Sequence, residues 1–391
     1  MQDHRPDQLP PPPPDALAAS QALSAKIAEA IAQAGGWIPF SEYMALALYS
    51  PGLGYYSGGA HKFGPGGDFI TAPELTPLFG QSLARQVAEL LPQTAPQLIE
   101  VGAGTGLLAA DLLASLETLG ALPEEYAILE LSGELVQRQR ETLTQRVPHL
   151  LPRVRWLSAL PEAFDGVVVA NEVLDVIPVE LAVWRDGAIF ERGVATQDGA
   201  LAWADRPAQG ELLEAAQALP MRAPVEGEYV SEISLAGRAW TAEWARRLTR
   251  GALILIDYGY PQREFYLPSR STGSLICYYR HRAHPDPFLW PGLCDITAFV
   301  DFTAIADAAH GAGLDVLGYA DQASFLMNCG LLEILAQRGP TDTPDYIRAA
   351  RAAQRLIAPH EMGELFKVLA LGKGVSPALR GFARGDRLHA L

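Results

Sequence analysis

Three glycines at alternate positions, Gly102, Gly104 and Gly106, separate an apolar segment at 98–101 from a helical pattern. Glycine adopts positive φ without strain and lets a ligand press against the backbone. The helix that follows leaves the N–H groups of its first turn unpaired. A dinucleotide site is expected to read G-x-G-x-x-G, with a third glycine that packs helix against strand. The observed G-x-G-x-G spacing, preceded by Glu100, therefore disfavours an NAD-dependent enzyme.

This spacing is typical of class I S-adenosylmethionine (SAM) methyltransferases, and the alternative is a glycine-rich turn without a ligand. Ligands of open α/β sheets bind outside the carboxyl ends of the strands. We therefore predict cofactor contacts from Glu100 and Ala103 at the end of the first strand and its turn, and from Glu130 and Leu131 at the end of the second strand. A carboxylate at Glu130 can accept two hydrogen bonds from a ribose diol. Leu157, at the end of the third strand, is predicted to lie against adenine.

Acidic residues follow the next two strands of the predicted sheet. Asn171, Glu172 and Asp175 come after the fourth strand and before a proline. A class I methyltransferase places its methyl acceptor at this point, so we predict that these three side chains contact the acceptor. Asp257 follows the fifth strand and has two interpretations, a catalytic residue or the cap of a turn.

The elements that must position these residues alternate as strand and helix, which predicts a parallel, doubly wound α/β sheet. Residues 181–204 alternate instead like a β-meander with turns at 186–187 and 198–199. A capping box at 71–74 predicts one helix through about residue 90. The predicted sheet strands are 98–101, 126–131, 154–157, 167–170 and 252–256, and the other predicted elements are helices at 18–34, 41–48, 232–250, 302–309, 325–337 and 345–356 and a strand at 314–319.

The predicted organisation has four parts. Residues 1–16 form a disordered proline-rich tail, 17–92 a helical segment with a cofactor-covering loop, 93–179 and 251–391 the core with C-terminal additions, and 180–250 an inserted segment. The loop is predicted to fold over the methionine end of SAM, with Asp68 facing the cofactor's ammonium and Thr71 close by. Asp68 has a structural alternative, an aspartate in a glycine turn. The inserted segment either recognises substrate or forms a homodimer contact.

Net charge, apolar runs and cysteine spacing indicate which partners, compartment and metal sites to expect. The 391 residues carry a net charge of −15, which disfavours nucleic acid and is compatible with a basic peptide. The sequence contains no run of eighteen apolar residues, so no membrane insertion is expected. The absence of a signal peptide pattern or an Arg-rich transit pattern favours a cytoplasmic protein. Cys277, Cys294 and Cys329 lie far apart and include no C-x-x-C, so free buried thiols and no metal site are expected.

Several separate motifs occur in one order: LYSPGLGYYS, FGPGGDFITAPELTPLFG, IEVGAGTG, ILELS, ANEVLDVIPV, LIDYGY, CYYRHRAH, CDITAFVDF and MGELFKVLALGK. Over roughly residues 36–375 the chain resembles the MidA family, SAM-dependent methyltransferases tied to assembly of respiratory complex I. The resemblance implies a class I Rossmann-like fold, SAM as cofactor and a protein substrate. The mitochondrial members imply symmetric dimethylation of an arginine in a complex I core subunit.

The chain departs from that family at three positions near the acids. Val173, Leu174 and Glu180 stand where relatives often carry aromatic residues and a histidine, so the substrate pocket is expected to differ in shape or charge. If the acceptor is arginine, Glu172 and Asp175 are predicted to clamp its guanidinium, with Asn171 orienting it. Two other functions stay open: a methyltransferase with a small-molecule or different protein acceptor, and an assembly chaperone that binds SAM without turnover.

Overall fold

The computed structural model describes residues 9–58, 71–219 and 227–391. The chain divides into two compact units. The first unit comprises Met1–Phe69, Leu174–Ala239 and Gln262–Asp301, and the second comprises Ile70–Val173, Trp240–Pro261 and Phe302–Leu391.

The described strands and α-helices are numbered here in chain order. The strands are β1 Ile38–Pro39, β2 Gln97–Val101, β3 Glu125–Leu129, β4 Val154–Leu157, β5 Phe164–Asn171, β6 Glu180–Arg185, β7 Ala188–Gln197, β8 Ala200–Pro207, β9 Glu228–Ile233, β10 Leu248–Tyr260, β11 Ile276–Tyr279, β12 Arg282–His284, β13 Asp295–Thr297, β14 Val300–Asp301, β15 Asp315–Asp321 and β16 Phe366–Lys373. The helices are α1 Pro14–Gln33, α2 Phe40–Tyr49, α3 Ala72–Leu75, α4 Pro77–Leu90, α5 Leu107–Thr118, α6 Gly133–Arg146, α7 Gly210–Ala218, α8 Leu235–Arg247, α9 Gln262–Phe265, α10 Phe302–Gly311, α11 Gln322–Asn328, α12 Leu331–Ala336 and α13 Pro344–Ile357.

The sheet of the second unit has the strand order β15-β16-β10-β5-β2-β3-β4. The pairs from β10 to β4 are parallel, which confirms the predicted doubly wound α/β fold. The chain runs outward from β2 to β4 and returns at β5, so the strand order reverses between β2 and β5. Crevices at such a reversal bind ligands in open α/β sheets. The residues after β2 and β5 therefore begin at the expected ligand edge.

One strand of this sheet has no counterpart in the sequence prediction. β16 pairs antiparallel with both β10 and β15, so the sheet is mostly rather than wholly parallel. All of its residues except Lys373 are buried, as expected for a strand covered on both faces.

Two predicted helices are each interrupted. The predicted capping box at 71–74 is wrong, because the Thr71 side chain makes no capping hydrogen bond and α3 stops at Leu75. A second helix, α4, starts after Thr76, whose hydroxyl accepts from the Leu78 N–H at 3.3 Å. Thr76 is extended because the following proline disfavours helical backbone before it. The predicted helix at 325–337 is also two helices, since Gly330 has a φ of 85° between them.

The first unit contains the predicted β-meander within a larger sheet. Its order is β1-β7-β6-β9, with β8 paired to β7. Asp186 and Gly187 both have positive φ, as do Asp198 and Gly199, which suits two-residue hairpin turns. A separate sheet of order β12-β11-β13 was not predicted. Helix α1 begins earlier than predicted, since proline is tolerated in a first helical turn.

Each unit has its own buried hydrophobic cluster. In the second unit, one face of the sheet packs under helices, with Leu98 and Val167 among the buried strand residues and Leu83 and Leu112 among the helical ones. In the described ranges, no helix has the length and apolar character needed to cross a membrane. Cys277, Cys294 and Cys329 are buried, free thiols, as predicted.

Candidate functional site

The glycine turn after β2 is built from three residues with left-handed backbone. Gly102, Gly104 and Gly106 have φ values of 64°, 51° and 82°. A Cβ at Gly102 would lie 3.2 Å from Val173 Cγ2, and one at Gly106 would lie 3.0 Å from Gln139 Cα. The left-handed backbone thus favours glycine at both positions, and at 106 the close backbone atom of Gln139 is a second reason. The turn leaves main chain without side chains at the carboxyl end of β2.

Glu100 supports this turn from inside the fold. Its side chain is only 2% exposed, and the Tyr126 hydroxyl donates a hydrogen bond to its carboxylate. Burial raises the pKa of Glu100 to about 7, while the hydrogen bond from Tyr126 opposes that shift. The carboxyl group is therefore part of the buried sheet that carries the turn. Ala103, inside the turn, is also buried.

Glu130 follows β3 directly, beside the glycine turn. The Ser132 N–H donates to Oε1 at 2.9 Å, and Gln139 Nε2 donates to Oε2 at 3.0 Å. Burial raises the pKa of this carboxyl, while those hydrogen bonds lower it. The Glu130 N–H donates to the Leu157 carbonyl at 3.0 Å, which joins the ends of β3 and β4. Leu131 is 80% exposed and provides apolar surface next to the carboxylate.

Gln139 is a residue of this site that sequence reasoning missed. Its Nε2 also donates to the Gly104 carbonyl at 3.1 Å, and its Oε1 accepts from Trp156 Nε1 at 3.0 Å. The available signal was its position on α6, because Leu135, Gln139 and Leu143 recur at four-residue spacing and all three are buried. A polar residue in the middle of an apolar helical stripe indicates a specific partner.

The chain that follows β5 forms the opposite side of the strand-order reversal. Glu172 has a φ of 53°, an uncommon conformation for a residue with a side chain. Its N–H donates to the Ile256 carbonyl at 2.8 Å, and Asn171 Nδ2 donates to its Oε1 at 3.0 Å. Val173 reaches Gly102 as described above. The predicted acceptor residues Asn171 and Glu172 are therefore next to the glycine turn.

Asp257, at the corresponding point of β10, holds this turn in place. Its Oδ2 accepts from the Val173 N–H at 3.2 Å, and its Oδ1 accepts from the Tyr258 N–H at 2.9 Å. The side chain is 1% exposed. These contacts match the turn-capping interpretation of Asp257. They also fix the backbone that carries Glu172.

Lys367 lies directly opposite Asp257 across the β10–β16 pair. It is a fully buried lysine whose Nζ donates to the carbonyls of Glu364 and Leu365 and lies 5.3 Å from the Tyr260 ring centroid. Residues directly opposite on antiparallel strands share one face of the sheet. The sequence prediction missed Lys367 because it did not predict β16.

Three more residues were predicted at the site, and one of them, Asp68, lies outside the described residues. Thr71 precedes α3, and its carbonyl accepts from the Glu74 and Leu75 N–H groups. Asp175 belongs to the first unit, where it is buried and its carbonyl accepts from the Ala298 N–H at 3.0 Å.

Tyrosines and acids of the first unit form a second cluster. The rings of Tyr49 and Tyr56 stack, with centroids 5.6 Å apart and an interplanar angle of 19°. The Tyr56 hydroxyl donates to the Asp295 carboxylate at 3.1 Å, and the Tyr49 hydroxyl donates to the Val176 carbonyl at 2.8 Å. Burial, then Asp295 and more weakly Asp175, raise the pKa of Tyr56 well above its ordinary value. Tyr49 stays 40% exposed.

The arrangement in the second unit fits an adenosyl cofactor. Main chain without side chains at Gly102 and Gly104 permits close approach, and the Glu130 carboxylate keeps acceptor capacity beyond its hydrogen bonds from Ser132 and Gln139. Asn171 Oδ1 is buried and has no hydrogen-bond partner within the described part of the chain. An acceptor of this kind suits a ligand N–H or O–H group.

Comparisons with known proteins agree with this arrangement. Residues 82–320 match the Methyltransf_28 family, described as S-adenosyl-L-methionine-dependent methyltransferases. A Drosophila melanogaster relative, named a mitochondrial protein arginine methyltransferase NDUFAF7 homolog, is 30% identical over 88% of this chain and 83% of its own length. The human protein of that name is 28% identical over 86% of this chain and 80% of its own length.

A solved structure is more similar. A COG1565 superfamily member from Burkholderia thailandensis, crystallised with S-adenosyl-homocysteine, is 53% identical, with a TM-score of 0.94 over 98% of this chain and 100% of that one. The family match, the fold and that bound product agree with the SAM cofactor predicted from the glycine spacing. The chain therefore belongs to this family of SAM-dependent methyltransferases, has the class I fold and uses SAM as its cofactor.

Proposed function

We propose that this protein is a protein arginine N-methyltransferase that modifies a respiratory complex I subunit during assembly. The names of the relatives, protein arginine methyltransferases, support the arginine acceptor. The complex I subunit and symmetric dimethylation rest on the resemblance to the MidA family. For the cofactor we propose contacts from these residues: Glu100, Gly102, Ala103, Gly104, Gly106, Glu130, Leu131, Leu157, Asp68 and Thr71.

The chemistry required of the protein is orientation. SAM supplies a methyl group on a sulfonium, which is electrophilic without further activation. The protein must align the acceptor nitrogen with the S–CH₃ bond and exclude water. A guanidinium has a pKa above about 12 and no acceptor lone pair. From the sequence, Glu172 and Asp175 are candidates for binding this guanidinium, and we propose that the Glu172 carboxylate holds its positive charge on the nitrogen that is not methylated. Asn171 orients Glu172, and Asp257 holds the turn beneath it.

The observation that carries this proposal is the strained backbone of Glu172. A non-glycine residue in a left-handed conformation costs on the order of 1–3 kcal/mol, and such residues cluster at active sites. Here the Glu172 backbone N–H donates to the Ile256 carbonyl, and Asn171 Nδ2 donates to the Glu172 side chain. We propose that this backbone presents the Glu172 carboxylate to the methyl acceptor, one residue from Val173, whose side chain lies next to Gly102.

The tyrosine cluster of the first unit supports a cationic acceptor. A guanidinium binds over aromatic faces and also to carboxylates. Tyr49 offers a partly exposed ring, and Asp175 and Asp295 place carboxylates near Tyr56. The net charge of −15 is also compatible with a basic segment of a protein substrate.

The test is transfer of a tritiated methyl group from SAM into a lysate of a strain that lacks this protein. We expect label in protein, recovered after hydrolysis as methylated arginine, and none with the Glu172→Ala variant. Label confined to small molecules would contradict the arginine proposal and favour the alternative acceptor. Binding of S-adenosyl-homocysteine with no transfer to any fraction would favour the assembly-chaperone alternative.

A further inference from the structure

A single buried side chain joins the three strand ends of the cofactor site. Gln139 on α6 contacts the Gly104 carbonyl, the Glu130 carboxylate and the Trp156 indole, at 3.1, 3.0 and 3.0 Å. These groups follow β2, follow β3 and lie within β4, respectively. Gln139 is 0% exposed. We propose that Gln139 is a positioning residue that sets the Glu130 carboxylate against the glycine turn for recognition of the ribose.

The partners leave the Gln139 amide only one orientation. The Gly104 carbonyl and the ionised Glu130 carboxylate accept hydrogen bonds and donate none, whereas the indole N–H of Trp156 only donates. The NH₂ group must therefore face Gly104 and Glu130, and the carbonyl must face Trp156. Exchanging the oxygen and nitrogen would break all three hydrogen bonds at once. The amide thus fixes both its own rotamer and the distance between the turn and Glu130.

The backbone of the same residue also packs on the turn. A Cβ at Gly106 would lie 3.0 Å from Gln139 Cα and 3.3 Å from its Cβ. One turn farther along α6, the Thr142 hydroxyl donates to the Thr105 carbonyl at 2.7 Å. Arg140, the next residue, stacks its guanidinium 3.8 Å from the centroid of the Trp156 ring. Helix α6 therefore fixes the glycine turn through side chain and main chain, and Gln139 is at the centre of that contact.

This placement has a consequence for the ribose-binding carboxylate. Glu130 Oε1 accepts from the Ser132 N–H, Oε2 accepts from Gln139 Nε2, and a backbone hydrogen bond from Leu131 also stabilises the carboxylate. The Ser132 bond is local, two residues away, so it moves with Glu130. Gln139 provides the bond that ties Glu130 to the glycine turn. Loss of this bond should weaken binding at the ribose hydroxyls more than elsewhere on the cofactor.

The test pairs Gln139→Met with Gln137→Met, an equal change at an exposed position of the same helix. S-adenosyl-homocysteine and its 2′-deoxyribose analogue are titrated calorimetrically into each full-length protein. In the unaltered protein the analogue should bind about tenfold more weakly, as expected for loss of a hydrogen bond to a charged group. Gln139→Met should bind S-adenosyl-homocysteine about tenfold more weakly and discriminate between the two ligands less than about threefold. Gln137→Met should match the unaltered protein.

Two results would overturn the proposal. One is unchanged affinity for S-adenosyl-homocysteine in Gln139→Met. The other is an equal loss of affinity for both ligands with the discrimination intact, which would assign Gln139 a structural role only.

A second variant, Gln139→Glu, keeps the shape of the side chain if Gln139→Met does not fold. It puts a carboxyl group against Glu130 and the Gly104 carbonyl, and two adjacent carboxylates disfavour joint ionisation. When protonated, the new carboxyl can still donate to Glu130. The affinity of Gln139→Glu for S-adenosyl-homocysteine should therefore fall as the pH rises, at least fivefold more than in the unaltered protein. Parallel pH profiles would contradict the role of Gln139.

Discussion

Replacing Gly106 by alanine separates backbone strain from steric contact at the cofactor turn. Gly106 has a φ of 82°, and its Cβ would lie 3.0 Å from Gln139 Cα and 3.3 Å from Gln139 Cβ and Cγ. Gly120, at the end of α5, has a φ of 67°, and an alanine Cβ there would have nothing within 4 Å. Gly120→Ala is therefore a matched control with the same backbone penalty and no contact.

The magnitudes follow from these two environments. Alanine in a left-handed conformation costs roughly 1–2 kcal/mol at either position. Only Gly106→Ala adds an overpacking cost, typically about 1–3 kcal/mol, because the contacted atom at 3.0 Å is backbone. The gain from a less flexible unfolded chain is common to both variants and cancels in the comparison. Gly106→Ala should thus be less stable than Gly120→Ala by about 1–3 kcal/mol.

The assay is calorimetric melting of both variants, followed by titration with S-adenosyl-homocysteine. The stability difference corresponds to a Tm lower by at least about 1 °C for Gly106→Ala. Its affinity for S-adenosyl-homocysteine should fall at least tenfold, because the turn must move away from Gln139, while Gly120→Ala should bind normally. Equal Tm values together with equal affinities would refute the account of the turn.

Three further predictions concern Glu172, Glu100 and Tyr49. Glu172→Gly relieves the left-handed strain, so its free energy of unfolding in urea should exceed that of Glu172→Ala by about 1 kcal/mol. Both variants should lack methyl transfer. A glycine variant less stable than the alanine variant would contradict strain at this residue. Burial raises the pKa of Glu100 from 4.5 to about 7, so its contribution to stability falls as pH rises between those values, by at most about 3 kcal/mol. The Tm advantage of Glu100→Gln over the unaltered protein should therefore grow from pH 5 to pH 8, and a constant difference would contradict a raised pKa. Tyr49→Ala should raise the KM for protein substrate about tenfold without changing the affinity for S-adenosyl-homocysteine. Tyr49→Phe keeps the ring face and should change this KM little. Equal KM values for the two variants would exclude a role for the ring.

The parts of the fold predicted from sequence are those encoded in short segments. Strands β2, β3 and β5 each contain an apolar run, and the three glycines mark the turn after β2 by their spacing alone. The two-residue turns at 186–187 and 198–199 carry Asp-Gly pairs, which set the hairpin geometry locally. Side chains at the ends of these strands, Glu130 and Glu172 among them, follow from the rule that parallel strands place ligands at one edge.

The missed features depend on pairing between distant segments. β16 pairs with β10 and β15, which lie far from it in the sequence, and the residues of Phe366–Lys373 do not specify which strands it pairs with. Lys367 acquires its place opposite Asp257 only through that register. Gln139 was visible as a polar residue within an apolar stripe, but its three partners come from three different strand ends. Asp175 is three residues from Glu172, yet it belongs to the other compact unit.

We propose that Glu130 binds the cofactor and that Glu172 binds the methyl acceptor. Paired measurements on Glu130→Ala and Glu172→Ala test this assignment most directly. For each variant, affinity for S-adenosyl-homocysteine is measured by calorimetry, and methyl transfer is measured as tritium incorporated into protein of the lysate described above. We predict that Glu130→Ala binds at least tenfold more weakly, and that Glu172→Ala binds normally and transfers no methyl group. Full methyl transfer by Glu172→Ala, or unchanged binding by Glu130→Ala, would contradict the assignment.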